Sequence, residues 1–289
     1  MVPESVSDSA DVRSIVPAVS TSPDAAALEL VDLASYPIDR PGSDAYVTLA
    51  ELCRDQLETT GASILRGFLR PDALDHALES AHRLVAAAHR SEIDNGSPYL
   101  ELPEDHWPEG HPRLMNGPTS LGATAYDRFP ASDPIRQLYE SDPFMTFLAA
   151  ALGRDRLYRY DDPLGALNLA VMTAGDQLWW HFDQTDFVVS IALQSSQRGG
   201  DFECVPMLRS EDDERYDDVA RVLTGADEAA VRVPMEPGTL MLFQGRHSLH
   251  RVTPIEGDVP RLVALLAYDT KAGTCSSELL RAFRYGRTE

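Results

Sequence analysis

Apolar residues recur at helical spacing early in the chain and at strand spacing late in it. Leu49, Leu52, Cys53 and Leu57 fall on one helix face, and Gly61 stands where a left-handed glycine ends a helix. A short apolar strand, Ser63-Ile64-Leu65, leads through Gly67-Phe68 into a second helix. That helix opens on Pro71-Asp72 and carries Leu74, Leu78, Ala81 and Val85 along one side. Residues 90–132 break the pattern: Asn95-Gly96, Ser97-Pro98, His111-Pro112, Gly117-Pro118 and Phe129-Pro130 interrupt any regular element, while Tyr99, Trp107, Met115 and Tyr126 stay apolar enough to pack. This predicts a long irregular segment, either a wrap around the core or a lid over a binding site. Helical period returns from Asp133-Pro134 to Leu152 and closes at Gly153.

From residue 166 the period is two. Strands are predicted at 166–172, 187–194, 231–235, 239–244, 248–252 and 261–268, with turns at Gly199-Gly200, Pro237-Gly238 and Glu256-Gly257-Asp258. There is no internal repeat. Helices first and then strands, without strict alternation, predict the α+β class: a sandwich or open barrel backed by the N-terminal helices. Residues 1–28, rich in Ser, Ala, Val, Pro and Asp without sustained periodicity, predict a disordered leader. Residues 29–289 form one domain in this reading, with a helical part at 29–160, a β core at 161–270 and a C-terminal tail at 271–289.

Composition narrows the partners. The chain has 289 residues and 43% hydrophobic content, enough for a substantial core. No run of eighteen apolar residues offers a membrane span, and no basic segment followed by an apolar stretch opens the chain as a secretory signal would. Cys53, Cys204 and Cys275 lie far apart, which argues against a disulfide framework or thiolate zinc and fits a cytoplasmic, reducing compartment. A net charge of -21 disfavours nucleic acid and anionic membrane and is compatible with a small cationic substrate, although its main consequence is solubility. The acidic run Glu211, Asp212, Asp213, Glu214, Asp217 and Asp218 reads as a solvated surface, since no glycine turn spaces its carboxylates as in a calcium loop.

The candidate chemistry lies in the stretch LWWHFDQTDF at 178–187. In a strand, His181 and Asp183 share one face while Phe182 points away. Two ligands are too few for a catalytic metal. Among the eight histidines, His76, His82 and His89 belong to the helical layer and His106 and His111 to the irregular segment, leaving His247 and His250 in the β half. Two histidines and a carboxylate with open positions are the ligand set of non-haem Fe(II) oxygenases. Downstream, Arg261 opens an apolar strand, where a guanidinium is costly unless it meets an anion such as a dicarboxylate.

The motifs occur in a telling order: His181-Phe182-Asp183, Gly199-Gly200-Asp201-Phe202-Glu203, Pro237-Gly238-Thr239-Leu240, His250-Arg251-Val252-Thr253-Pro254 and Arg261. This order resembles the Fe(II)- and 2-oxoglutarate-dependent dioxygenases, in the prolyl-hydroxylase-like branch near the amino-acid hydroxylases and halogenases. The likeness covers roughly residues 165–269 and, more loosely, 46–88. It implies a double-stranded β-helix (jelly-roll) core, with His181, Asp183 and His250 on iron, and Arg261 on the far carboxylate of 2-oxoglutarate. Asn168 matches a position where such enzymes place a further polar contact to the cosubstrate. One departure is evident: relatives often carry Ser or Thr two residues after the arginine, and this chain has Val263.

The resemblance implies oxidation by O2, with hydroxylation of an unactivated C–H bond as the favoured outcome and a free amino acid or amine-bearing metabolite of secondary metabolism as substrate. Relatives that chlorinate amino acids replace the carboxylate ligand by Gly or Ala, and Asp183 closes that position. A peptide or protein hydroxylase, a desaturase or cyclase, and a non-catalytic jelly-roll binding module are the rivals. The dicarboxylate anchor Arg261 has no use in the last of these. His247 reads as a surface or supporting histidine, Trp179 and Trp180 as alternating between core and site wall, and Asp186 as either a strand cap or a holder of a cationic group.

Overall fold

Ser-Pro-Asp opens the part of the chain that the computed structural model describes, residues 22–100, 106–226 and 229–289. Helix α1 (Pro23–Leu28) starts there: the Ser22 hydroxyl accepts from the Ala25 N–H at 3.2 Å, Pro23 sits in the first turn, and Ala27 is fully buried. Residues 23–28, expected to belong to the disordered leader, are therefore helical, because a complete capping signal outweighs the low-complexity composition around them. Residues 1–21 lie outside the described residues. Helix α2 (Asp44–Thr60) is capped by Ser43 and closed by Gly61, whose φ of 68° takes the left-handed conformation. Strand β1 (Ala62–Leu65) follows, then helix α3 (Pro71–Val85).

Two eight-residue strands, β2 (His89–Gly96) and β3 (Gly117–Thr124), pair antiparallel within the segment expected to be irregular. Their sequences, HRSEIDNG and GPTSLGAT, lack the apolar alternation that marks a strand: β2 is a mostly exposed sheet edge, and β3 packs through small residues. The predicted helix over 133–152 is two helices, α4 (Pro134–Glu140) and α5 (Asp142–Ala151). Ser141 ends the first in extended backbone and caps the second, and Pro143 supplies no N–H to continue α4.

The C-terminal half supplies β4 (Tyr158–Arg159), β5 (Leu167–Met172), β6 (Leu178–His181), β7 (Val188–Gln194), β8 (Arg198–Gly199) and β9 (Phe202–Val205). After helix α6 (Tyr216–Leu223) come β10 (Val231–Val233), β11 (Leu240–Phe243), β12 (Leu249–Val252), β13 (Ile255–Glu256), β14 (Arg261–Leu266) and β15 (Tyr268–Asp269). The tail forms helix α7 (Glu278–Tyr285), started by Ser277 and ended by Gly286. Among the described residues the two larger sheets have the orders β1-β11-β7-β14-β5-β3-β2 and β10-β9-β12-β6, and every pairing within them is antiparallel.

Strand alternation sorts the core into layers. Leu167, Leu169, Val189, Ile191, Leu262 and Ala264 point from the larger sheet toward helices α2–α5. Residues of the opposite parity, with Ala170, Met172, Met241 and Phe243 among them, meet Phe202, Cys204 and Val252 of the smaller sheet. A third apolar cluster covers the outside of the smaller sheet, where Trp180, Phe182 and Leu249 pack on Tyr99, Val219 and Val222. The molecule is thus a mixed α and β fold with a large antiparallel sheet, and its polar inner groups lie in the space between two sheets.

Candidate metal and anion site

His181 ends β6, and His250 is its direct cross-strand partner on β12. From that pair to the next, Val252 with Leu178, β6 spends one more residue than β12, a bulge that breaks simple alternation. Trp179 and Trp180 consequently both belong to the outer apolar cluster instead of dividing between core and site. The two imidazoles lie with ring centroids 4.2 Å apart. Each Nδ1 faces a main-chain carbonyl, Trp179 O at 2.7 Å and Ser248 O at 2.9 Å. A carbonyl only accepts, so each Nδ1 carries the proton and each Nε2 presents a lone pair. Burial lowers the His181 pKa to about 4, His250 pushes the same way, and the Asp183 carboxylate only partly opposes them.

Asp183 joins this pair from beyond the strand, which stops at His181. His181 and Asp183 still face one side and Phe182 the other, as expected, although the paired strand ends at His181 and Asp183 lies in the segment just beyond it. Phe182 pins that segment on the far side, with its N–H on Pro98 O at 2.7 Å and its ring against Tyr99 and the Arg209 guanidinium, the latter 4.0 Å from the ring centre. The Asp183 N–H donates to Gly245 O at 3.0 Å. Its Oδ1 and Oδ2 then stand 3.9 Å from His181 Nε2 and 3.5 Å from His250 Nε2, too far for strong hydrogen bonds. The three ligand atoms lie within 4.8 Å of one another around a common point. Two neutral imidazole lone pairs and one carboxylate fit a divalent iron with open positions.

Arg261 lies at the start of β14, buried between the sheets and paired with Met172 of β5. Its Nη1 finds only the Met172 sulfur, at 3.9 Å, and burial lowers its pKa to about 10, with partial relief from Asp201. Asp201 is itself engaged by Arg232 at 2.6 Å. A cavity of about 490 Å³ opens beside the guanidinium, bounded among others by Ala192, Gly200, Phe202, Met235 and Val263. The Phe202 ring also touches His250, at 5.5 Å between centroids, so this cavity and the histidines share a wall. Among the described residues no carboxylate forms an ion pair with this buried cation, and a cation so placed beside open space fits an anionic ligand.

Register places two more polar groups on the same inner face. Asn168 and Ser190 flank Leu265 across β5, β14 and β7, four residues along β14 from Arg261, or about 13 Å of strand. Both are buried, and Asn168 Oδ1 and Ser190 Oγ have no hydrogen-bond partner. The sequence reading singled out Asn168 but missed Ser190, whose signal is a hydroxyl at an inward position of an otherwise apolar strand, VVSIALQ. His247 is outside the three-residue cluster. Asp186 sits 2.7 Å from Arg246 Nε in an ion pair without good hydrogen-bond alignment, so its carboxylate is already matched by a cation.

Comparisons with known proteins agree with this geometry. No curated protein matches the chain in sequence. Among solved structures, AviO1 from Streptomyces viridochromogenes Tue57 is 18% identical, with 78% of this chain and 96% of that one covered at a TM-score of 0.52. The epimerase SnoN in complex with Fe3+, alpha ketoglutarate and nogalamycin RO is 16% identical, covering 76% and 83% at 0.52. The non-haem alpha ketoglutarate dependent carbocyclase SnoK from nogalamycin biosynthesis is 15% identical, covering 79% and 84% at 0.51. These likenesses place the chain in the fold of the Fe(II)- and 2-oxoglutarate-dependent oxygenases. A family profile described as Halogenase D matches residues 117–280, a span that holds the histidine pair, Asp183, Arg261 and most of both sheets. Since that span exceeds half of the 289 residues, the chain belongs to the Halogenase D family.

Proposed function

We propose that this protein is an Fe(II)- and 2-oxoglutarate-dependent oxygenase that hydroxylates an unactivated C–H bond of a small, amine-bearing molecule, on two facing sheets that form a double-stranded β-helix. The observation that carries the proposal is the pairing of a His181–Asp183–His250 cluster with a buried, unmatched Arg261 in the same inter-sheet space. His181 and His250 would hold iron through Nε2, with Asp183 as the anionic third ligand. When bound, iron and 2-oxoglutarate supply the coupled chemistry in which O2 converts the cosubstrate to succinate and CO2 and leaves one oxygen atom for the substrate.

The chain's own residues do the rest. Arg261 would grip the far carboxylate of 2-oxoglutarate as a desolvated ion pair, with Asn168, farther along the sheet, as a further polar contact to the cosubstrate. Phe202 and Phe243 pack on His250, with Phe243 edge-on at 4.8 Å, and keep water from that side of the iron ligands. The charge of -21 supports a cationic substrate, and the absence of paired cysteines supports a cytoplasmic setting.

Halogenation is the second reading, favoured by the family match. Asp183 decides against it, because its carboxylate stands where a halide would have to bind. The test is turnover of a panel of free amino acids with Fe(II), 2-oxoglutarate and high chloride, followed by succinate assay and product mass. A product one oxygen heavier supports the proposal, loss of two hydrogens points to desaturation or ring closure, and a chlorinated main product overturns the role given to Asp183.

A further inference from the structure

We propose that Gly245 is a positioning residue for Asp183: the side chain missing at 245 is the space in which the carboxylate turns toward both histidines. The proposal rests on reading the cluster as a metal site. Gly245 does not take a left-handed φ, so its backbone does not call for glycine. The demand is steric. A Cβ built on Gly245 would overlap Asp183 Oδ2 and stand 2.6 Å from Asp183 Cγ and 2.9 Å from its Cβ. No other side chain comes among its three nearest atoms.

The backbone on each side of this contact is held by hydrogen bonds. The Asp183 N–H is bonded to Gly245 O, and the neighbouring Arg246 guanidinium reaches Gln184 O and Asp186 on the same segment. On the 245 side, the Gln244 N–H is held by Gly61 O at 2.8 Å, Gln244 O accepts from His247 and Ser248 at 3.2 and 3.1 Å, and Arg246 O accepts from Arg209 Nε at 2.6 Å. Rotation of the carboxylate relieves the overlap with Oδ2 and Cγ, while the 2.9 Å contact with the Asp183 Cβ is relieved only by a small shift of the tied backbones, which adds a folding cost. Oδ2, the oxygen it would strike, is the one 3.5 Å from His250 Nε2. Both imidazoles keep their own anchors on Trp179 O and Ser248 O. The expected result is a site with two histidines in place and its third ligand turned away.

The experiment titrates Co(II), read by its visible absorption, and measures melting of the metal-free protein, for wild type, Gly245→Ala, Asp183→Gly and the double variant. Gly245→Ala should weaken Co(II) by about tenfold to a hundredfold, the range for losing a residue that orients a ligand. In the Asp183→Gly background the same methyl should change neither affinity nor melting temperature, because nothing remains for it to strike. If Gly245→Ala does not fold alone, recovery of a folded protein in the double variant reads the same coupling. Wild-type Co(II) affinity in Gly245→Ala, or a melting penalty that persists without Asp183, overturns the proposal. Unchanged affinity in Asp183→Gly itself overturns the metal reading, and the proposal with it.

Discussion

Replacing Arg261 by methionine keeps an apolar stem of similar length and removes the charge. The structure predicts opposite effects on the free and the liganded protein. Burial lowers the Arg261 pKa from its ordinary value to about 10. A shift of that size is roughly 3 kcal/mol against the charged form, at about 1.4 kcal/mol per unit. Part of this returns as lost packing and the void left by the guanidinium fork, so a net stabilisation of about 1–2 kcal/mol is expected for the metal-free, ligand-free chain. At about 2–4 °C per kcal/mol for a chain near this size, the variant melts a few degrees above wild type. With 2-oxoglutarate the order reverses. Removing one partner of a buried pair costs about 3–5 kcal/mol, which is roughly two to four orders of magnitude in affinity. The assay is a pair of melting curves, with and without 2-oxoglutarate, in the presence of Co(II) and a buffer poor in small anions. The reasoning is refuted if Arg261→Met melts below wild type without ligand and still gains the full 2-oxoglutarate shift.

His181→Ala and His250→Ala should each abolish stoichiometric Fe(II) or Co(II) binding, whereas His247→Ala should retain it; the reverse pattern in a metal titration would move the third ligand from 250 to 247. Asp176, fully buried, gives a pH-dependent prediction. Burial alone would raise its pKa, but donors from Arg90, Thr173 and Ser120 together hold it below the usual 3.8. Its folded pKa is thus below its unfolded one, so its stabilisation is complete above 3.8 and is lost as pH falls through the folded value. Asp176→Asn should cost about 2–3 kcal/mol at neutral pH, as charge-assisted bonds do, and the gap should close in acid; urea titrations showing a constant gap across that range would contradict the assignment.

The strands β5, β7, β11, β12 and β14 were legible to within a residue or two, because burial on both faces leaves short, mostly apolar runs. The edge pair β2 and β3 was not, since an exposed edge and a strand of small residues carry no such pattern. The site shows the same division. His181, His250 and Arg261 are visible as polar residues in apolar strands. How Asp183 is held depends on a bulge at Trp179–Trp180 and on Gly245, a partner distant in sequence. Ser190 matters through cross-strand register, which a single strand cannot display.

The iron and 2-oxoglutarate centre is tested by anaerobic absorption spectroscopy of the protein titrated first with Fe(II) and then with 2-oxoglutarate. A visible charge-transfer band that requires both additions, vanishes in His250→Ala, and needs far more 2-oxoglutarate in Arg261→Met is the predicted result. Iron that binds without a 2-oxoglutarate-dependent band, or a band unchanged by His250→Ala, would contradict the claim that these residues form an iron and 2-oxoglutarate centre.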